Sequence, residues 1–510
     1  MKFTRLSAAL VTIVSVTTMA CKTDLTGLNV NPNSPTTAPA GSLFTNATVT
    51  LMSRWNNTGG TLSGASLFAQ HAAQVQYVEE DRGHLRATTI DGFNSGAYAG
   101  ELEDYQKVQG IGKAGASVAT WAPAAVMQSL DFQLLTDMWG DIPYSQALQG
   151  DVAGGSLRPV YDAQKDIYYG LLKTLTDAST ALRAAPATDA GLGSADIIYK
   201  GDVTKWAKFA NSLRARLALR MSKADPTKAA TELTAAFAAG VMTSNSDNAQ
   251  MAWPGDGVFD NPLATNFSTR DDHRISKTLL DTMNALADPR MKVYAQPTLW
   301  DPATKKPWAA GVTPQYVGLQ NGLDNTTVAP FFNTTSRPGA MFYPGATSYG
   351  TFGTAAGKKT PSYLLTYAEV AFTQAECAER GLGGLSGAAA YYNAAVTSSM
   401  TQWGVSAADA AAYLASPGVA YKGGAAGLQQ IGLQKWIALF TQSHEAWSEW
   451  RRTGNPATVK MGPSAYPDVP TIPRRYPYPS NELSVNAINL AAAIARQGPD
   501  LYTTRIWWDK

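Results

Sequence analysis

Residues 429–455 read QQIGLQKWIALFTQSHEAWSEWRRTGN, and their reading decides the fold. Ile431, Leu433, Trp436, Leu439, Phe440, Trp447 and Trp450 keep mostly to helical spacing and describe one wide apolar face. Three tryptophans on such a face carry too much apolar area to stay wet, so the spacing predicts one long helix at the centre of a core. Its end is written into the sequence as well. Arg451 and Arg452 suit the negative end of the helix dipole, Gly454 suits a left-handed cap, and Pro456 prevents continuation. A proline- and tyrosine-rich crossing, IPRRYPYPSNELSVN, follows, and the chain ends in LYTTRIWWDK.

Working outward, the 510 residues are 45% hydrophobic and only 16% charged, enough apolar material for a large helical core. The formal net charge is +2, and no basic block stands out, so there is no electrostatic footprint for nucleic acid. Only Cys21 and Cys377 occur, which excludes a disulfide framework. At the N-terminus Lys2 and Arg5 precede the apolar run LSAALVTIVSVTTMA, which ends at Cys21. That is the pattern of an export signal, here residues 1–20, with a cysteine where cleavage and acylation occur. Acyl chains on Cys21 would anchor the chain to a membrane, and residues 21–41 form a polar, proline-punctuated tether.

Between residues 42 and 249 the pattern is helical. Leu43–Gln76 reads as helix broken near 56–60; residues 77–100 read as a polar loop; helix resumes at Glu101 and across Trp121–Trp139. Gln164–Leu182 is amphipathic, and Asp202 caps a helix whose buried stripe is Val203, Trp206, Ala210, Leu213, Leu217 and Met221. On that helix and just past it Lys205, Arg216 and Lys223 are expected outside, while Asn211 and Arg214 are expected to bond a loop end in preference to a ligand. A second helical group is expected from Pro361, with a small-residue stripe at Ala368, Ala371, Ala375 and Ala378.

Four pieces of the chain resemble one family. These are W-G-D-I-P-Y (139–144), K-W-A-K-F-A-N-S-L (205–213), D-P-R (288–290), and the tryptophan-rich helix with its I-P-R-R crossing. Together with the lipobox-like Cys21 they resemble the SusD/RagB family of nutrient-binding outer-membrane lipoproteins. The resemblance implies an all-α fold, with a tetratricopeptide-like helix-pair scaffold and long irregular insertions. It also implies a lid over a SusC-like TonB-dependent transporter, handing over oligosaccharide or peptide without breaking a bond. Residues 42–510 would form a single domain, with scaffold at 42–249 and 356–510 and an insertion at 250–355.

That insertion is rich in Gly, Pro, Asn and Thr and carries many aromatics without helical or strand period. Aromatic faces on loops suit sugar rings, whose C–H faces stack while hydroxyls find polar partners. The residues expected to touch ligand are Trp253, Trp300 and Tyr343, with Tyr77, Arg82 and Trp55 from the N-terminal loops. Other chemistry finds little support. G-x-G-x-x-G at Gly110–Gly115 lies in helical sequence with no preceding strand, and His444-Glu445 lacks the second histidine of a zinc helix. No resident cofactor or metal is expected; Asp256 and Asp260 form a solvated turn more readily than a calcium site. Two rival readings are a helical glycoside hydrolase and a pure protein-binding scaffold. The hydrolase needs a carboxylate pair from Glu101, Asp104, Asp137, Asp141, Asp271 and Asp272. The scaffold leaves the aromatic insertion unexplained.

Overall fold

The computed structural model describes residues 38–339, 341–342 and 355–510, with the side chains of 58, 59, 355 and 356 left aside; Cys21 and Tyr343 lie outside the described residues. The N-terminal helices are α1 (Ala40–Asn56), α2 (Ala87–Ala99), α3 (Glu101–Ala114), α4 (Val118–Trp139), α5 (Gln164–Arg183), α6 (Val203–Arg220) and α7 (Pro226–Ala239). From α3 onward each packs on its successor, and α1 and α2 both lie against α3. After α8 (Lys277–Ala285) in the insertion come α9 (Tyr367–Glu379), α10 (Ala388–Gln402), α11 (Ala407–Ala415), α12 (Gly424–Ala438), α13 (Ser443–Thr453) and α14 (Ala487–Gln497). Helix α9 packs on α10 and α12 and also on α6, which joins the two groups.

Among the described residues strands are few and short, in four antiparallel pairs: β1 (Ala72–Gln74) with β5 (His273–Ile275), β2 (Ile142–Pro143) with β3 (Tyr161–Asp162), β4 (Ala249–Met251) with β8 (Ser362–Leu365), and β6 (Trp300–Asp301) with β7 (Lys306–Pro307). The described residues are thus dominated by helix, as the sequence patterning predicts. One apolar cluster runs from Phe44 to Trp508, so the last residues of the chain are part of the main core.

The long tryptophan helix is two helices. Residues 439–442 break it, with Thr441 at φ +74° and Gln442 N–H donating to Leu439 O. The break lets the tryptophans face different walls: Trp436 donates to Ala69 O at 2.8 Å and Trp447 to Pro473 O at 2.9 Å. A continuous helix would hold both indoles to one spacing. Residues 87–99 of the expected polar loop are helix α2, whose Ile90, Phe93 and Ala97 are buried. At Pro361 a strand precedes the helix, because Thr366 Oγ1 caps α9 by accepting from Glu369 N. Asp202 caps α6 as expected, accepting from Thr204 and Lys205 N, and Asn211 donates to Ala239 and Gly240 O at the end of α7.

Arg216 is 4% exposed and belongs to a buried ion network, not to the outer face. It pairs with Glu369 at 2.7 Å; Arg220 pairs with Asp137 at 2.8 Å and with Glu445; Lys435 pairs with Glu449 at 2.8 Å; Arg452 pairs with Glu376 at 2.5 Å and Glu449 at 2.7 Å. The network ties α4, α6, α9, α12 and α13 together. Desolvating so many charges is repaid only because nearly every one has several partners; losing one partner strands the rest.

The W-G-D-I-P-Y turn has a structural account. Gly140 sits at φ +83°, where a Cβ would stand 1.8 Å from the Gln497 side chain. Gln497 clamps the turn from both sides, accepting from Asp141 N at 2.8 Å and donating to Trp139 O at 2.9 Å. Only glycine fits there.

An aromatic loop face as the candidate functional site

The site is assembled on the β1–β5 pair. Gln74 stands opposite His273, and Val75 N donates to Asp272 O at 2.8 Å, so the chain after β1 runs beside the chain before β5. Asp81 secures the loop that follows: it accepts from Gln74 N, Asn321 Nδ2 and Gly322 N. Burial pushes its carboxyl up to about 7 against those three bonds. Inside this anchored loop Tyr77 adopts φ +55° and remains 53% exposed, with the Arg270 guanidinium 5.0 Å from its ring centre. A bulky aromatic in the left-handed region is a strained choice that surrounding structure must hold in place, and such strain gathers at functional positions.

From Arg270 the assembly continues through a double bolt. Asp271 pairs with Arg274 at 2.8 Å and with Arg337 at 2.5 Å, and Arg274 donates to Phe332 O while lying 4.8 Å over the Phe332 ring. This fixes residues 331–337 against 271–274. Phe331, beside the bolt, is 40% exposed. The β6–β7 hairpin joins next, since Trp300 N donates to Asn333 O at 3.0 Å. Trp300 is half-buried, and Trp308 just beyond the hairpin is also half-buried, its indole donating to Thr298 O at 2.9 Å. The result is a hydrogen-bonded loop assembly that carries Tyr77, Arg270, Trp300 and Phe331, each exposed or half-buried. Rigid loops with open aromatic faces can stack on flat apolar surfaces of a ligand at little entropic cost.

Of the six residues singled out in the sequence, Tyr77 and Trp300 are carried by this loop assembly, exposed and half-buried respectively. Arg82 braces it: its Nε donates to Ser464 O at 2.6 Å and its guanidinium lies 4.2 Å over Tyr466. Trp55 and Trp253 are core side chains, at 5% and 4% exposure: Trp55 lies on α1 and not on a loop, and Trp253, in the irregular chain after β4, turns inward. Trp55 donates to Asp131 at 3.0 Å and meets Phe93 and His444 edge-on; Trp253 donates to Ser362 Oγ at 2.9 Å. Tyr343 falls outside the described residues. Arg270 and Phe331 were missed, since neither carries a spacing that marks it; only pairing across β1–β5 brings Arg270 to Tyr77.

The carboxylates weighed for hydrolysis all have structural partners. Glu101 pairs with Arg54, Asp104 accepts from Asn46, Asp137 from Arg220 and Trp508, Asp141 from Arg496, Asp271 from two arginines, and Asp272 from Arg270. Asp256 accepts from Val258 and Phe259 N, and Asp260 pairs with Lys358 at 2.8 Å, which leaves a turn with its charge already met.

A family model described as starch-binding and associating with the outer membrane, SusD-like, matches residues 32–479. The chain belongs to the SusD-like family. Solved structures agree with this assignment along almost the whole chain. A chitin-binding protein is 28% identical with a TM-score of 0.80, covering 92% of this chain and 100% of its own. A chitin-binding SusD homologue from Flavobacterium johnsoniae is 26% identical with a TM-score of 0.77, covering 92% of this chain and 98% of its own. A SusD homologue from Bacteroides uniformis is 25% identical with a TM-score of 0.76, covering 92% and 99%. Among curated proteins no sequence matches. The helical architecture read from the sequence is therefore that of SusD-like structures, and the descriptions of the family and of its chitin-binding members are those of binding proteins, not enzymes.

Proposed function

We propose that this SusD-like chain binds neutral oligosaccharide on the Tyr77–Arg270–Trp300–Phe331 face, without cleaving it. The observation that carries the reading is the loop-borne aromatic face itself, in a chain similar to two chitin-binding proteins. Stacked rings recognise the C–H face of a sugar, and Arg270 with the surrounding amides recognises its hydroxyls. Residues 42–510 act as one body in this reading, with the helices as scaffold. Acylation at Cys21 holds the chain at the outer membrane, facing outside, and a SusC-like TonB-dependent transporter takes the ligand as the chain closes over it. Peptide is the second ligand class.

Isothermal titration calorimetry on the soluble form beginning at Lys22 tests this. The panel holds chito-oligosaccharides, malto-oligosaccharides and short peptides, and the products of each mixture are analysed. Saturable binding of an intact oligosaccharide is expected. Cleavage of the ligand, or binding of peptides alone, would overturn the reading.

A further inference from the structure

Tyr77 is followed closely by two carboxyl groups that leave the water, Glu80 and Asp81, both buried. Glu80 has a cation: it accepts from Gln74 Nε2 at 2.9 Å and pairs with Arg86 at 2.8 Å. Asp81 is held by neutral donors instead, Gln74 N at 3.2 Å, Gly322 N at 3.1 Å and Asn321 Nδ2 at 2.7 Å. Its own N–H donates to Gln74 Oε1 at 3.1 Å. Asn321 is fixed in turn, donating to Ala72 O at 2.8 Å and accepting from Ser276 Oγ at 2.5 Å. One carboxyl thus closes a ring of contacts through β1, the residue after β5, and residues 321–322. Tyr77 stands inside that ring. Val75 and Val78, on either side of it, pack in an apolar cluster with Leu319 and Leu323, contacts that no proton alters. Tyr77 itself keeps φ +55°, a conformation that its surroundings must enforce.

Two effects oppose each other at Asp81. Burial, with the Glu80 carboxyl beside it, favours the acid; the three donors favour the ion. Burial wins and leaves the group at about 7, whereas a loop lifted into water would return it to its ordinary 3.8. Closing the loop therefore takes up a proton between about pH 4 and pH 7, and closure weakens as pH rises through that window. Above it the closed and open loops are both ionised, and closure stays at its weaker level. Of the charged groups around Asp81, Glu80 is also raised by burial and acts in the same sense, with Arg86 opposing. Arg82 turns away to Ser464 O and the Tyr466 ring. His273, opposite Gln74 across the β1–β5 pair, is pushed down to about 3 by burial and stays neutral. Asp324, past Gly322, is lowered by the Thr327 N–H and stays ionised.

We propose that Asp81 is a proton-operated latch on the aromatic face, on whose reading as the binding site this inference rests. Holding its proton, Asp81 keeps the Tyr77 loop closed beside Arg270; losing it loosens the loop and lowers oligosaccharide affinity. Calorimetry with a chito-oligosaccharide should show affinity falling by about fivefold or more from pH 5 to pH 8. Asp81→Asn is uncharged throughout and keeps an oxygen for the Gln74 and Gly322 N–H groups. It should bind within about twofold at both ends of that range, while Glu80→Gln keeps most of the fall. Amide exchange of the ligand-free chain needs neither ligand nor variant. After correction for intrinsic rates, protection of residues 75–82 should drop by about fivefold or more from pH 5 to pH 8, and that of residues 298–309 by less than about twofold. Affinity that is level or rises with pH, a fall that Asp81→Asn leaves in place, or unchanged protection of residues 75–82 would each overturn the latch. Tyr77→Ala separates the two readings. If it leaves affinity unchanged, the aromatic face fails as the site; if it weakens binding while the parent is level with pH, the latch alone fails.

Discussion

The ion network among α4, α6, α9, α12 and α13 and the loop assembly around Tyr77 use the same charged residue types to opposite ends. In the network Arg216, Arg220, Lys435 and Arg452 are enclosed by Asp137, Glu369, Glu376, Glu445 and Glu449, all at most 8% exposed. The charges are spent chiefly on one another. In the loop assembly the Asp271–Arg274–Arg337 bolt is likewise buried, but it holds up exposed or half-buried rings at Tyr77, Phe331 and Trp300. Charge fixes the backbone in both regions, and only in the second does that fixity serve an open surface. The difference teaches that stability and recognition are separable here, and substitutions should sort accordingly.

The largest effect is expected in the network. Arg220→Ala strands Asp137 and Glu445 in the interior and should cost about 3–5 kcal/mol of unfolding free energy, read by urea denaturation, with ligand affinity of the remaining folded protein unchanged. If Arg220→Ala abolished binding at full stability, the separation would fail.

Next come the tryptophans, which divide the same way. Trp253→Ala opens a core cavity and should cost about 3–5 kcal/mol. Trp300→Ala should leave the melting temperature within about 2 °C while weakening oligosaccharide binding by about tenfold or more, since a lost stacking face removes affinity but little packing. Equal thermal effects from the two would erase the contrast.

A smaller effect concerns pH. Burial and the neighbouring Asp131 raise the Glu101 carboxyl, so the folded chain holds a proton that the unfolded chain releases above its ordinary value near 4.5. Stability therefore declines as pH rises from that value toward the raised folded one. Glu101→Gln keeps an acceptor for Arg54, and it should flatten the decline between pH 6 and 9 in urea titrations. On the acid side, burial lowers His71 to about 4 and His273 and His444 to about 3. The unfolded chain takes up protons below pH 6.5 that these folded imidazoles refuse, so stability falls from there downward, a slope that Glu101→Gln leaves in place.

Least of all is expected from calcium. Asp256 and Asp260 already have backbone donors and Lys358, so calcium or a chelator should move the melting temperature by less than about 1 °C.

How much of this was legible in the sequence varies with the kind of contact. Helix α5 announces itself because one face is buried and the other is open, which leaves an apolar period in the sequence; α6 shows its stripe too, although the structure buries nearly every residue from Trp206 to Arg220. Arg216 did not: helical spacing counts an arginine as outward, and its partners Glu369, Gln133, Glu445 and the Leu364 carbonyl, all distant in the chain, make the interior tolerable. The break at Thr441 was hidden for a related reason. A left-handed threonine has no composition signal, and the apolar spacing runs across it. At the site, the change to loop-rich, aromatic sequence marked the insertion, yet rings in irregular chain give no period to tell inside from outside. Trp253 and Trp300 look alike in sequence; the hydrogen bond from Trp253 to Ser362 and the hairpin under Trp300 separate them.

The location of binding is tested most directly by amide hydrogen exchange, with and without a saturating oligosaccharide from the calorimetric panel. Protection is expected in residues 75–82, 268–274, 298–309 and 329–337, with the slow-exchanging amides of α4, α6 and α13 unchanged. Protection confined to the cleft of about 490 Å³ beside α2, or to the one of about 840 Å³ lined by Lys223, Arg380 and Asn455, would contradict the aromatic face as the binding surface.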